Sequence, residues 1–172
     1  MYDSIFGVLK KYVKPATLFR VMFNVSPMYR RSCGKLYFVS EDLHLVKIRI
    51  PLTYRNKNYV GSMFGGSLFS ATDPIYMIQL MQILGKDYVV WDKATQIRFR
   101  KPAYSNAFVD FEFSIDEINE IKRQVQENKE IDFVKKLNIT DGKETVFTEL
   151  EKTLYISSKE HYRQKRAKVS SK

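Results

Sequence analysis

The stretch Asn58-Tyr-Val-Gly-Ser-Met-Phe-Gly-Gly-Ser-Leu-Phe-Ser-Ala-Thr-Asp-Pro-Ile-Tyr-Met-Ile-Gln-Leu-Met-Gln-Ile-Leu-Gly85 decides the fold. It lies between Lys57 and Lys86 and holds one formal charge, Asp73. It is too polar and too broken by glycine to span a bilayer. It is apolar around most of a helical circumference, which describes a helix buried on all sides. Gly85 is a natural C-terminal stop for that helix.

On both sides of this segment the apolar period falls to two, the period of a strand. Residues 36–40 and 43–52 read as strands joined by a turn near Glu41-Asp42, with Val46, Ile48, Ile50 and Leu52 alternating with Lys47, Arg49 and Pro51. Residues 88–92, 94–101, 107–115, 131–140 and 145–157 follow the same rule. Asp141-Gly142 signals a hairpin between the last two. Asp116 is expected to cap a polar helix from Glu117 to about Asn128, with Ile118, Ile121 and Val125 on its apolar side. Before the strands, residues 4–13 carry helical spacing, and a second helical pattern runs through Leu18, Val21, Met22 and Val25 until Pro27 stops it. The class is α+β: a curved antiparallel sheet of five to six strands around one long central helix, preceded by N-terminal helices.

The lone carboxylate of the neutral segment has three readings. Asp followed by Pro is what a helix N-cap with Pro at N1 looks like, in which case the helix starts at Pro74. Asp73 could equally be a buried, satisfied polar group at a subunit contact. Or it is a general base, its pKa raised by desolvation into the range where it can take a proton from water. Seven residues earlier stands Gly66, preceded by Phe64 and Gly65 and followed by Ser67. Glycines at a helix N-terminus admit a ligand close to the backbone, where free amides and the positive dipole end can hold an oxyanion. Asn58 could position substrate or water, or only shape the loop before the helix.

The chain has 172 residues, 44% apolar and 28% charged, enough for one domain with a sizeable core. Its formal charge of +10 is uneven. Residues 1–35 hold seven Lys/Arg against Asp3; residues 159–172 hold six against Glu160; the body between holds 16 Lys/Arg against 17 Asp/Glu. The last segment has no apolar periodicity and reads as a basic, frayed, disordered tail. No recognition helix, aromatic RNP-like motif or zinc finger accompanies it, so nucleic acid is not an expected partner. The basic ends could still touch a membrane surface. Cys33 is the only cysteine, and Lys10, Lys11 and Lys14 interrupt every early apolar run, so a reducing, cytoplasmic location without a signal peptide is expected. No cluster with metal-ligand spacing is present in the sequence, and no metal or cofactor is expected.

From Arg55 through Val60-Gly-Ser-Met-Phe-Gly-Gly-Ser-Leu-Phe69 to Thr72-Asp-Pro-Ile-Tyr-Met77, and on through Trp91-Asp-Lys93, Ile97-Arg-Phe-Arg-Lys-Pro102 and Glu151-Lys-Thr-Leu-Tyr-Ile156, the sequence resembles the hotdog superfamily. It is most similar to a bacterial thioesterase-like branch known as a domain of unknown function. The resemblance covers roughly residues 20–158 and implies one hotdog domain over 1–158, with 1–34 as a helical extension. It also implies homodimers, often tetramers, and hydrolysis of acyl-coenzyme A at the dimer interface. In related enzymes a helix-end glycine amide binds the thioester carbonyl and a helix carboxylate of the facing subunit activates water; Gly66 and Asp73 match these positions. The histidine common before the glycine pair is Phe64 here. Phe64, Gly65, Ser67 and Asn58 would line the substrate. Trp91-Asp92-Lys93 reads first as packing plus a surface ion pair; on the functional reading Trp91 lines an acyl tunnel, and Lys93, Arg98, Arg100 and Lys101 are candidates for the coenzyme phosphates. Strand alternation sets Arg98 and Arg100 on the face opposite Lys93 and Lys101. The rival expectation is a non-catalytic hotdog module that binds acyl groups or a protein. Hydratase chemistry needs a suitably spaced histidine, and His44 and His161 do not supply one.

Overall fold

The computed structural model describes residues 13–170. The helix expected over 4–13 therefore lies, all but its last residue, outside the described residues. Helix α1 (Pro15–Val25) and the short α2 (Pro27–Arg31) each start on a proline. A proline's fixed φ and missing N–H suit the first helical position. Strands β1 (Lys35–Val39) and β2 (Leu45–Ile50) form a hairpin, and the loop after β2 leads to helices α3 (Gly65–Thr72) and α4 (Ile75–Leu84). Strands β3 (Tyr88–Phe99) and β4 (Ala107–Glu112), helix α5 (Ile115–Asn128), strands β5 (Glu130–Thr140) and β6 (Val146–Ser158), and helix α6 (Lys159–Ser170) follow among the described residues.

The six strands make one antiparallel sheet in the order β1-β2-β4-β5-β6-β3. Only Phe108 and Thr140 pair between β4 and β5, whereas β6 pairs along its length with both neighbours, so the sheet bends at the β4–β5 seam. Its concave face holds Val46, Ile48, Ile50, Val109, Phe111, Leu154 and Ile156, packed around Ile75, Tyr76 and Leu80 of α4. Each such fully buried aliphatic side chain contributes roughly 1.5–3 kcal/mol. Asp141-Gly142 does open the β5–β6 hairpin, and Gly142 has a φ of 83°.

Four expectations change. The central helix does not start at Pro74 but at Gly65, and Asp73-Pro74 interrupts it. Pro74 has no N–H to continue the ladder, yet Asp73 (φ −55°, ψ −52°) and Pro74 (φ −83°, ψ −8°) stay right-handed, so the two helices run on as one kinked element. It is not buried on all sides either, since Met81 is 42% exposed. Helix α5 is capped by Ser114 rather than Asp116. The Ser114 hydroxyl accepts from Glu117 N and Glu117 accepts from Ser114 N, a reciprocal pair stronger than a single Asp cap. Finally, residues 159–170 are not a frayed tail but a helix. Ser158 Oγ receives His161 N at 3.3 Å, Lys165 pairs with Glu130 at 2.8 Å, and Tyr162 packs on Tyr155. Those anchors lie on β5 and β6, where no local periodicity could reveal them.

Candidate active site

From Thr148 to Ile156 strand β6 alternates, with Thr148, Leu150, Lys152, Leu154 and Ile156 all buried. Lys152 is thus a lysine at a core position, and its side chain is fully buried. A charge there needs partners. Its ammonium donates to the backbone carbonyl of Asp73, lies 3.2 Å from Asp73 Oδ1 and 3.0 Å from Asp92 Oδ1. The Asp92 contact is an ion pair outside hydrogen-bond geometry, which leaves that buried oxygen without a hydrogen-bond partner. Burial pushes the Asp92 carboxyl above the ordinary carboxylate range, the Lys152 ammonium pulls it back, and the nearby Asp73 charge adds to the rise.

Lys152 also explains how the kink is held. Where Pro74 stops the helical ladder, carbonyls of α3 need other donors. Around the break that Pro74 makes opposite Ser70 O, Asp73 O receives Lys152, Ala71 O receives the buried Tyr29 hydroxyl at 3.0 Å, and Phe69 O, which keeps its ladder bond from Asp73 N, also receives Thr72 Oγ1. The Asp73 side chain is left 46% exposed, oriented by a fully buried lysine. Asp92 is the more enclosed of the two carboxylates, its side chain 24% exposed.

The other end of α3 is built differently. Phe64 is its N-cap residue, and no side chain caps the helix start. Phe64 N itself donates to Asn56 O at 2.7 Å. A Cβ on Gly66 would lie 2.2 Å from the Phe64 ring, and one on Gly65 would lie 2.8 Å from the Phe99 ring. Glycine at both positions is what lets the two aromatic rings sit against the start of the helix. Beside them is a cavity of about 410 Å³ walled by Met63, Leu68 and Phe99, with Arg100 and Lys101 in its lining.

The remaining expected residues divide. Ser67 is buried in the first turn and its amide donates to Phe64 O, so it serves the helix. Asn58 is a loop-shaping residue: its Oδ1 accepts from Val60 N and Ser62 N, and its Nδ2 donates to Ser62 Oγ. Trp91 and Lys93 are not with Asp73 and Gly66. Trp91 pairs in register with Tyr155 on the convex face, and Lys93 bonds Asp132 on that face at 2.5 Å. A bulge between Asp92 and Ala94 reverses the strand's phase, so Arg98 shares the convex face with Lys93 instead of opposing it. Lys152 and Tyr29 are not singled out in the sequence, and Asp92 is read there only within a surface ion pair, whereas its partner is the buried Lys152. A lysine in phase with Leu150, Leu154 and Ile156 was the available signal for the first.

The sequence matches, over residues 16–156, the family described as domain of unknown function DUF4442. The chain belongs to DUF4442. No curated protein matches it. Among solved structures it is similar to PA5026 of Pseudomonas aeruginosa, a protein of unknown function titled a probable thioesterase (21% identity, TM-score 0.73, 83% of this chain and 95% of that one). It is also similar to OLEI01261 of Chlorobaculum tepidum, of unknown function (12% identity, TM-score 0.66, 83% and 93%), and to the thioesterase HI1161 of Haemophilus influenzae (11% identity, TM-score 0.60, 86% and 94%). These likenesses establish that this DUF4442 chain has the hotdog fold. Among its described residues no helix is long and apolar enough to cross a membrane, and no group of His, Cys, Asp and Glu is placed to hold a metal ion.

Proposed function

We propose that this protein is a cytoplasmic acyl-CoA thioesterase whose site forms between two copies of the chain. The observation that carries the reading is the opposed construction of α3, with uncapped glycine amides at one end and a lysine-held carboxylate at the other. The two are seven residues apart, about 10 Å along the axis, too far to grip one carbonyl within a chain. A facing copy supplies the second half. Strand β3, a 12-residue edge strand paired only with β6 among the described residues, offers an edge for a second copy, and dimers can pair further into tetramers.

The Gly66 amide holds the thioester carbonyl oxygen as it becomes an oxyanion. Asp73 of the other subunit takes a proton from water, whose oxygen bonds to the carbonyl carbon. The oxyanion then collapses, the carbon–sulfur bond breaks, and the thiolate leaves and takes up a proton. No resident cofactor is needed; coenzyme A enters as part of the substrate. The likeness to PA5026, described as a probable thioesterase, and to the thioesterase HI1161 supports this reading. The test is hydrolysis of short, medium, long and aromatic acyl-CoAs. Asp73→Asn should lower kcat by about a hundredfold or more and leave the thermal midpoint within a few degrees. Binding of acyl-CoA without turnover, unaffected by Asp73→Asn, would favour the non-catalytic binding module instead.

A further inference from the structure

A second cavity, of about 540 Å³, opens between the end of α1, α2, the start of β1 and the loop after β2. Its lining includes Arg30, Lys35 and Arg55 and no carboxylate. Lys35 also stands directly across the β1–β2 ladder from Arg49. Like charges in that relation repel. Elsewhere on the sheet such cations are answered: Lys47 by Asp110, Lys93 by Asp132, Arg100 by Glu149. Among the described residues Arg30, Lys35, Arg49 and Arg55 have no ion-pair partner.

The cavity wall is fixed in advance. Asn24 donates to Leu36 O and accepts from Leu36 N, Ser32 Oγ donates to Tyr29 O and accepts from Gly34 N, and Asn56 bridges Pro51 O and Thr53 N. At its rim Tyr54 is 84% exposed; the Arg55 guanidinium lies 5.5 Å from its ring centroid and donates to its hydroxyl. An exposed aromatic ring beside a guanidinium is a surface on which a nucleobase stacks.

We propose that this cavity binds a nucleoside phosphate, with Arg30, Lys35 and Arg55 on the phosphate oxygens and Tyr54 against the base. Charge-assisted contacts from guanidinium groups to phosphate are strong and geometrically selective. The proposal stands apart from the thioesterase reading, although the same loop reaches the glycine start of α3, where Asn56 O accepts Phe64 N. The phosphates therefore have two sources, a free nucleotide or the coenzyme end of a thioester.

The experiment is a calorimetric titration of the full chain with ADP at low salt. The double variant Lys35→Gln/Arg55→Gln should weaken ADP binding by about tenfold or more. Lys122→Gln/Lys143→Gln, which removes the same charge elsewhere, should change it by less than about twofold. Equal losses in the two variants, or no ADP binding to the wild type, would overturn the proposal. Coenzyme A bound at least about tenfold more tightly than ADP, with the same loss in Lys35→Gln/Arg55→Gln, identifies the coenzyme end as the source; coenzyme A bound no more tightly than ADP identifies a free nucleotide. Neither readout needs turnover.

Discussion

Two helices of this protein begin in opposite ways. Helix α5 opens with a reciprocal cap between Ser114 and Glu117 and has acidic Asp116 and Glu117 in its first turn. Helix α3 opens on Phe64 with two glycines and no side-chain cap. The first start is closed by its own sequence, and the second leaves its amides to something outside it. The difference shows where local stability was not taken although it was available. α3 is instead held from its far end, by Tyr29 and Lys152, and that end is also where the carboxylate is aimed.

This contrast can be broken, most forcefully at the far end of α3. Lys152→Met leaves Asp92 buried without its cation and Asp73 O without its donor, and should cost about 3–5 kcal/mol in chemical denaturation. Adding Asp92→Asn should recover part of the loss; a Lys152→Met protein as stable as wild type would show that α3 is not held there. Tyr29→Phe removes only the donor to Ala71 O and should cost about 1–3 kcal/mol. At the helix starts, Ser114→Ala should cost about 1 kcal/mol, measured the same way. Phe64→Ser supplies α3 with the missing cap and should gain about 0.5–1 kcal/mol while lowering thioester turnover. A gain in stability with turnover intact would mean that the free amides serve no ligand.

Much of this architecture was legible because it repeats. The period-two strands, the neutral helix and the Asp141-Gly142 hairpin all announce themselves in contiguous sequence. Gly66 and Asp73 could be picked out because glycine and a lone carboxylate are conspicuous in an uncharged helix. Asp92 and Tyr29 could not, because their roles come from pairing across 60 and 42 positions of chain, Asp92 to Lys152 and Tyr29 to Ala71. Arg98 lands on the face of Lys93 for a local reason: one extra residue at the β3 bulge turns every later side chain to the opposite face. The helix at 159–170 escaped notice since its anchors, Glu130 and Tyr155, belong to distant strands.

The central claim is that Gly66 of one subunit and Asp73 of another make one site. Mixing Asp73→Asn with Gly66→Ala chains, each inactive or nearly so, tests it most directly. A heterodimer then carries one intact site, so random pairing should restore about a quarter of wild-type thioester hydrolysis. A mixture no more active than its parents, with subunit exchange confirmed by mass spectrometry, would contradict a shared site.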